Sequence, residues 1–356
     1  GCWSFLRSEA KHRKMSHVRF MRAALREARK GVGLTSPNPS VGAVVVHQGR
    51  VIGRGFHRRA GLPHAEVEAL RSLPDPGLAR GSTLYVTLEP CSTHGRTPPC
   101  TEAIRSAGIR RVVIGALDPN PAHAGRAIAL LESAGIEVLH GVLVEECAHL
   151  HRAFFRWITT GRPWVIAKAA LSLDGRLSRP PGESRWLSSA ASLEDAHRLR
   201  AEADAILVGA NTLRTDDPRL TLRGAGTPEG KTQPWRVVLG GSGELPTGAQ
   251  LFTDEFRDRT LVYRNQPLES VLEDLGARYQ VQTLLIEGGA AVLGSFWDAQ
   301  RVDEVCFYLT PWLCGGPTLG IGGLGAGASA EGARIVRAQY RRMGSDLRLT
   351  GLVERC

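Results

Sequence analysis

The stretch PHAEVEAL, residues 63–70, decides the reading of the N-terminal half when set beside TLEPCSTHGRTPPC, residues 87–100. Pro63 stands where a helix opens, and the first turn behind it carries His64 and Glu66. The second stretch reads as a buried strand, STLYVTLEP, running into a loop bounded by Cys91 and Cys100. Zinc favours imidazole and thiolate, and a catalytic zinc takes three protein ligands while keeping one position for water. His64, Cys91 and Cys100 supply that set. Glu66 follows the histidine by two residues, so it can reach a metal-bound water without ligating the metal. Taken singly, a histidine is usually a packing or surface group, and a cysteine a small buried hydrophobe. A structural zinc would need a fourth protein ligand. His94 could supply one, but Glu66 would then have no task.

His-x-Glu followed by Pro-Cys is the signature of zinc base deaminases, in which the metal activates water and the carboxylate moves protons. In that signature two residues separate the cysteines, whereas here eight, STHGRTPP, intervene. The longer loop need not break tetrahedral ligation, and it brings His94, Arg96 and Thr97 beside the pocket.

Working outward, Phe20–Lys30 reads as an amphipathic helix stopped by Gly31 and Gly33. VGAVVV (41–46) and RVIGRGF (50–56) read as two strands joined by the short turn HQG. TEAIRSAG, RRVVIGALD, AIALLESAG and IEVLHGV continue the helix and strand alternation to about residue 145. That pattern predicts a layered α/β domain over 15–147. A linker helix over 148–162 ends at Gly161 and Pro163, and a second alternation then fills 163–356. Its strands are WVIAKAAL, ADAILVG, WRVVLG, RTLVYR, QTLLIEGG and EVCFYLTPWL. Its helices are SLEDAHRLRAEA, PLESVLEDLGA and AAVLGSFWDAQ.

Bulk properties agree with a globular enzyme. The 356 residues are long for a single core, and 42% apolar with 22% charged content argues against extensive disorder. No apolar run approaches the roughly 20 residues needed to span a bilayer, and the basic opening lacks a secretory signal. Met15 reads as a more natural start, with residues 1–14 as a disordered extension. Seven scattered cysteines do not form a disulfide framework, which points to a reducing cytoplasm. The net charge of +10 implies anionic partners, either a phosphorylated small molecule or nucleic acid. Scattered arginines without interleaved aromatics weaken the nucleic-acid reading.

HAEVEAL with TLEPCSTHGRTPPC resembles the bifunctional riboflavin-biosynthesis family, in which a pyrimidine deaminase is fused to a reductase. The long HGRTPPC loop is similar to that family rather than to cytidine or tRNA-adenosine deaminases. SPNPSVGAVVV resembles its N-terminal motif, and implies that Asn38 contacts substrate. AKAALSLDGR, GESRWLS, ILVGANTLRTDDPRLTLR and LLIEGGAAVLGSFW resemble its reductase domain. The resemblance implies a cytidine-deaminase-like three-layer domain followed by a dihydrofolate-reductase-like α/β domain. It implies Zn2+ and NADPH as cofactors, and Glu66 as the catalytic carboxylate. NADPH is expected near Ala170, Trp186, Thr212, Asp216 and the turn Gly289, Ala290, Ala291, Val292, Leu293, Gly294 and Ser295. The sugar-phosphate substrate is expected near Ser184, Arg200, Leu220, Arg223 and Glu287.

The physical reading beside it is partial. A strand running through Gly288-Gly289 into a helix offers free N–H groups to a phosphate, although such junctions are more often simple tight connections. Arg200 and Arg223 suit phosphate oxygens through their planar forks, against a default of surface arginines. Lys168 is a weaker candidate for the reduction site, and no proton donor stands out. After the RVVL strand the family commonly has aspartate and serine, whereas this chain has Gly240 and Gly241, which bears on NADPH against NADH. Gly320-x-Gly322-x-x-Gly325 matches the dinucleotide fingerprint but lacks a convincing helix after it, and reads as a flexible loop lining the reductase pocket.

The expected function is zinc-hydroxide deamination of 2,5-diamino-6-(5-phosphoribosylamino)pyrimidin-4-one, followed by NADPH reduction of the ribosyl group to ribityl. Alternatives are a deaminase with an inactive reductase domain and a tRNA-type base deaminase. The expected partner is the phosphorylated pyrimidine, without nucleic acid or membrane, in a cytoplasmic homo-oligomer.

Overall fold

Central strands of the first sheet are written as unbroken apolar runs because both of their faces are covered. They are β1 (Gly42–His47), β3 (Thr83–Leu88) and β4 (Arg111–Ala116), each with five buried residues of six. β2 (Arg50–Phe56) and β5 (Glu137–His140) close the two edges and are partly exposed. The strand order is β2-β1-β3-β4-β5, with β1 antiparallel to β2 and β3 and the rest parallel. This computed structural model describes residues 2–93, 98–120, 123–177, 187–224, 227–316, 319–328 and 331–355. It divides into two units, Gly1–Thr160 and Gly161–Cys356.

Helix α1 (Cys2–Arg29) covers one face of the first sheet with Phe20, Met21, Ala24 and Leu25. Cys147 of α5 (Val144–Leu150) and Phe154 and Phe155 of α6 (Arg152–Thr160) join that core. The other face is covered by α2 (Ala65–Arg71), α3 (Cys100–Ser106) and α4 (Arg126–Ser133), through Ala65, Ala69, Ile104 and Leu131. The result is three layers. Strand β2 approaches α2 so closely that a Cβ at Gly55 would meet the Ala69 nitrogen at 2.2 Å and the Ala65 oxygen at 2.4 Å. Both are backbone atoms and cannot rotate away. Gly55→Ala is therefore expected to cost about 1–3 kcal/mol through overpacking and to displace α2, which carries the site. Thermal unfolding and the zinc content of the purified variant check this, and wild-type values for both would remove the role given to Gly55.

The second unit holds an eight-stranded sheet in the order β12-β13-β11-β6-β10-β7-β8-β9. Its parallel core is β6 (Trp164–Ser172), β7 (Ala205–Gly209), β8 (Trp235–Gly240), β9 (Thr260–Arg264) and β10 (Thr283–Ile286). β11 (Glu304–Thr310) runs parallel to β6 but antiparallel to β13 (Asp346–Arg355), which pairs in turn with β12 (Ala333–Met343). Helices α7 (Ala190–Glu202), α8 (Ala210–Asp216), α9 (Gln250–Thr253), α10 (Leu268–Ala277) and α11 (Ala290–Asp298) connect these strands. Apolar clusters fill both faces of the sheet.

Strands β7 and β10 are neighbours, and each runs straight into a helix capped by a glycine, Gly209 for α8 and Gly289 for α11. The two junctions touch, since a Cβ on Gly209 would lie 2.6 Å from Val292 Cγ2. A crevice at the carboxyl ends of parallel strands is where α/β sheets bind ligands.

The β12–β13 hairpin is absent from the expected strands. Residues 337–342 of β12 are all exposed, so no alternation of polar and apolar residues marks them. A bulge between Val336 and Gln339, with Arg337 at φ 51°, breaks the period further.

Candidate active sites

His64 is the N-cap of α2, with extended backbone at φ −76° and ψ 166°, and its side chain makes no cap hydrogen bond. Its imidazole is therefore available to a ligand. Cys91 follows the end of β3, and Cys100 is the first residue of α3. Nδ1 of His64 lies 3.5 Å from the Cys91 Sγ and 3.3 Å from the Cys100 Sγ. All three ligand atoms lie within 4.8 Å of one another. A tetrahedral zinc with bonds of about 2.0 Å to nitrogen and about 2.3 Å to sulfur sets its ligands about 3.5 Å apart. The donor set fits one such ion.

Electrostatics at the cluster suit a cation. The Cys91 thiol is held well below its ordinary range by hydrogen bonds from Cys100 and His64 and by the Cys100 backbone N–H, at 3.2 Å. Cys100, bonded to that thiolate and buried, is pushed up and keeps the shared proton. His64 is raised by its bond to Cys91. A bound metal replaces such protons, because ligands must be deprotonated. Glu66, 3% exposed, is pushed up to about 7 by burial and then by the Cys91 charge.

Asn38 reaches this cluster through a residue that the sequence reading missed. Asn38 Nδ2 lies 3.0 Å from His57 Nε2, and His57 Nδ1 lies 3.1 Å from the Pro63 carbonyl oxygen. A carbonyl only accepts, so Nδ1 carries the proton, and Nε2 of the neutral ring accepts from the Asn38 amide. Burial, foremost, holds His57 below its ordinary value and keeps it neutral. Its ring stands edge-on to His64 with centroids 5.1 Å apart, and its backbone partner is the residue before that ligand. Nothing local marks His57, which directly follows an ordinary strand in GRGFHRR.

Glu89 was missed as well. It is 6% exposed and accepts from the backbone N–H of Gly125 at 3.1 Å, Ala127 at 3.2 Å and Asp118 at 3.3 Å. It thereby ties the approach to α4 to the Pro90-Cys91 turn. An acid between a buried strand and that turn was the available signal. His94, Arg96 and Thr97 lie outside the described residues.

In the second unit the residues expected at the substrate converge unevenly. Glu287, directly after β10, accepts two hydrogen bonds from Arg200 of α7, Nε to Oε1 at 2.5 Å and Nη2 to Oε2 at 2.9 Å. Lys168 of β6 reaches the same carboxylate at 3.5 Å. Burial opposes ionisation of Glu287, but Arg200 and Lys168 overcome it and hold the carboxyl at about 2. The guanidinium expected on a phosphate is thus clasped by a carboxylate. Leu220 is buried, with left-handed backbone at φ 51°, and Arg223 follows in the same segment.

Thr212 of α8 faces the α11 junction, since a Cβ on Gly289 would lie 3.5 Å from its Oγ1. Ala170 is on β6, Asp216 ends α8, and Ala290, Ala291, Val292, Leu293, Gly294 and Ser295 open α11. Gly294 is covered: a Cβ there would strike the Gly322 carbonyl carbon at 2.3 Å. The Gly320–Gly325 segment lies across α11, with Gly322 N–H donating to the Ala290 oxygen at 2.9 Å and Leu324 N–H to Asp298 at 2.7 Å. Gly241 has open space where a side chain would stand. Ser184 and Trp186 lie outside the described residues.

Comparison with known proteins follows the same division. Residues 14–116 match the cytidine and deoxycytidylate deaminase zinc-binding region, and residues 163–348 match the RibD C-terminal domain. The riboflavin biosynthesis protein RibD of Aquifex aeolicus is 40% identical, covering 92% of this chain and 96% of its own. That of Escherichia coli strain K12 is 36% identical, covering 92% and 97%. The structure of Acinetobacter baumannii RibD in form 2 superposes with a TM-score of 0.85 at 35% identity, covering 96% of this chain and all, 100%, of that one. A diaminohydroxyphosphoribosylaminopyrimidine deaminase/5-amino-6-(5-phosphoribosylamino)uracil reductase from Thermotoga maritima gives 0.85 at 34% identity, covering 97% and 100%. With relatives matched across both units and nearly end to end, the chain belongs to the RibD family of riboflavin biosynthesis proteins.

Proposed function

We propose that the first unit deaminates 2,5-diamino-6-(5-phosphoribosylamino)pyrimidin-4-one and that the second reduces the ribosyl group of the product to ribityl with NADPH. The observation that carries the first step is the convergence of His64, Cys91 and Cys100 with buried Glu66 in their midst. Zinc held by those three residues supplies Lewis acidity that brings the acidity of water toward neutrality. Glu66, buried and with its carboxyl pushed up from the ordinary range, carries one proton from the attacking water to the ring nitrogen and then a second, from the newly added hydroxyl, to the leaving amine. A C–O bond forms at C2, the C–N bond breaks, and ammonia departs. Burial of Glu66 keeps bulk water from that proton path. Asn38, braced by His57, is the substrate contact beside the cluster.

In the second unit NADPH supplies hydride to the ribose C1 carbon. The paired helix starts at Gly209 and Gly289 present backbone N–H groups to the cofactor phosphates, and Lys168, Arg200 and Glu287 hold the sugar. The same reading makes the chain a cytoplasmic homo-oligomer. Unpaired Cys91, Cys100, Cys147, Cys306 and Cys314 support the reducing location. Among the described residues no helix is long and apolar enough to cross a membrane.

Incubation with the diaminopyrimidine substrate tests the pair of reactions. Ammonia is expected with or without NADPH, and NADPH oxidation only after deamination. A zinc chelator is expected to abolish ammonia release while sparing NADPH oxidation on pre-deaminated substrate. Unchanged ammonia release by metal-free protein would refute the first step, and no NADPH oxidation on that intermediate would refute the second.

A further inference from the structure

His197 lies one turn before Arg200 on α7, so both project from the same helix face. Among the described residues, the charged groups that act on it are the cations Lys168, Arg200 and Arg223 and the carboxylate of Glu287. Its enclosed Nδ1 has no hydrogen-bond partner among the described residues, and its Nε2 makes no hydrogen bond with them. None of the sequence motifs singled it out.

A buried polar atom without a partner is costly, so the state of this ring is constrained. Burial, and then Arg200 and Arg223, hold the imidazole below its ordinary value, which leaves it neutral with one N–H. At Nδ1 an enclosed N–H would have no acceptor, whereas a lone pair there is the cheaper orphan. The proton therefore sits on Nε2. A neutral donor at the rim of a cluster with three cations and one carboxylate is suited to an anionic oxygen.

We propose that His197 is a positioning residue of the reductase half, donating its Nε2–H to the phosphate of the phosphoribosyl substrate. This rests on the reductase reading above and adds to it a neutral phosphate donor. Arg200 is held by Glu287 and so shares its donors, which makes a second, uncommitted donor on the same helix face useful.

Two variants test this. The amide nitrogen of His197→Gln reaches about as far as Nε2, whereas that of His197→Asn reaches only as far as Nδ1. With deaminated phosphoribosylamino substrate, the Asn variant is expected to raise KM about tenfold or more, the loss of one hydrogen bond to a charged group, with little change in kcat. Gln is expected to restore most of it. Calorimetry should show weaker binding of ribose 5-phosphate to the Asn variant, unchanged binding of ribose, and unchanged NADPH affinity. Wild-type KM and ribose 5-phosphate affinity in the Asn variant, or a Gln variant as impaired as Asn, overturns the proposal. A wild-type enzyme that oxidises no NADPH overturns the reductase reading and this proposal together.

Discussion

Glu66→Gln is expected to lower ammonia release by about 10²–10⁴-fold, the usual contribution of a positioned general acid–base, while zinc content stays at the wild-type level. The substitution keeps the size and most of the packing of a side chain that is 3% exposed. What it removes is the ability to take up and return a proton near pH 7, where burial and the Cys91 charge place this carboxyl. The proposed metal ligands His64, Cys91 and Cys100 are untouched, so their geometry should persist. NADPH oxidation on pre-deaminated substrate should also be unchanged, which separates a chemical loss from a folding one. A Gln variant within about threefold of wild type would mean that the carboxylate carries no proton, and would favour a purely structural zinc.

The second large effect concerns Arg200. Arg200→Met leaves the Glu287 carboxylate buried with only Lys168, at 3.5 Å, to compensate it. Removing one member of a buried ion pair typically costs about 3–5 kcal/mol, and denaturant unfolding of the second unit should show a loss of that order together with loss of NADPH oxidation. Arg200→Met combined with Glu287→Leu should recover much of the stability but none of the activity, because no charge is then stranded. Acid adds a signed test. Glu287 is depressed from 4.5 to about 2 in the folded protein, so its stabilisation is present in full above about pH 4.5 and is lost as pH falls through about 2. In Glu287→Gln that acid-dependent component should be absent. A Met variant as stable as wild type would show that the pair is solvated and carries little energy.

Much of the deaminase site is legible in order along the chain because its chemistry is local. His64 and Glu66 share one helix start, and Pro90-Cys91 marks a strand end, so spacing alone nominates ligands and proton carrier. His57 and Glu89 are not legible this way. Their importance comes from partners 19 and 36 residues distant, Asn38 and Gly125, whose backbone or amide groups only folding brings near. The family resemblance implies Arg200 at the sugar phosphate, in keeping with the affinity of guanidinium for oxyanions. Its partner Glu287 is 87 residues away, and that pairing depends on α7 packing beside β10. The hairpin β12–β13 escaped because residues 337–342 of its edge strand are all exposed and carry no period.

By itself, the sequence determined the α/β layering and the two-part organisation, and it nominated His64, Cys91 and Cys100 as zinc ligands with Glu66 as their carboxylate. Those depend on hydrophobic period and on residue types at short separation, which the chain writes out in order. Only the tertiary structure decided that three ligand atoms converge within 4.8 Å, that Glu66 titrates near 7, and that Arg200 is clasped rather than free. Distance, burial and charge pairing between segments far apart in the chain are properties of packing, and no local pattern encodes them.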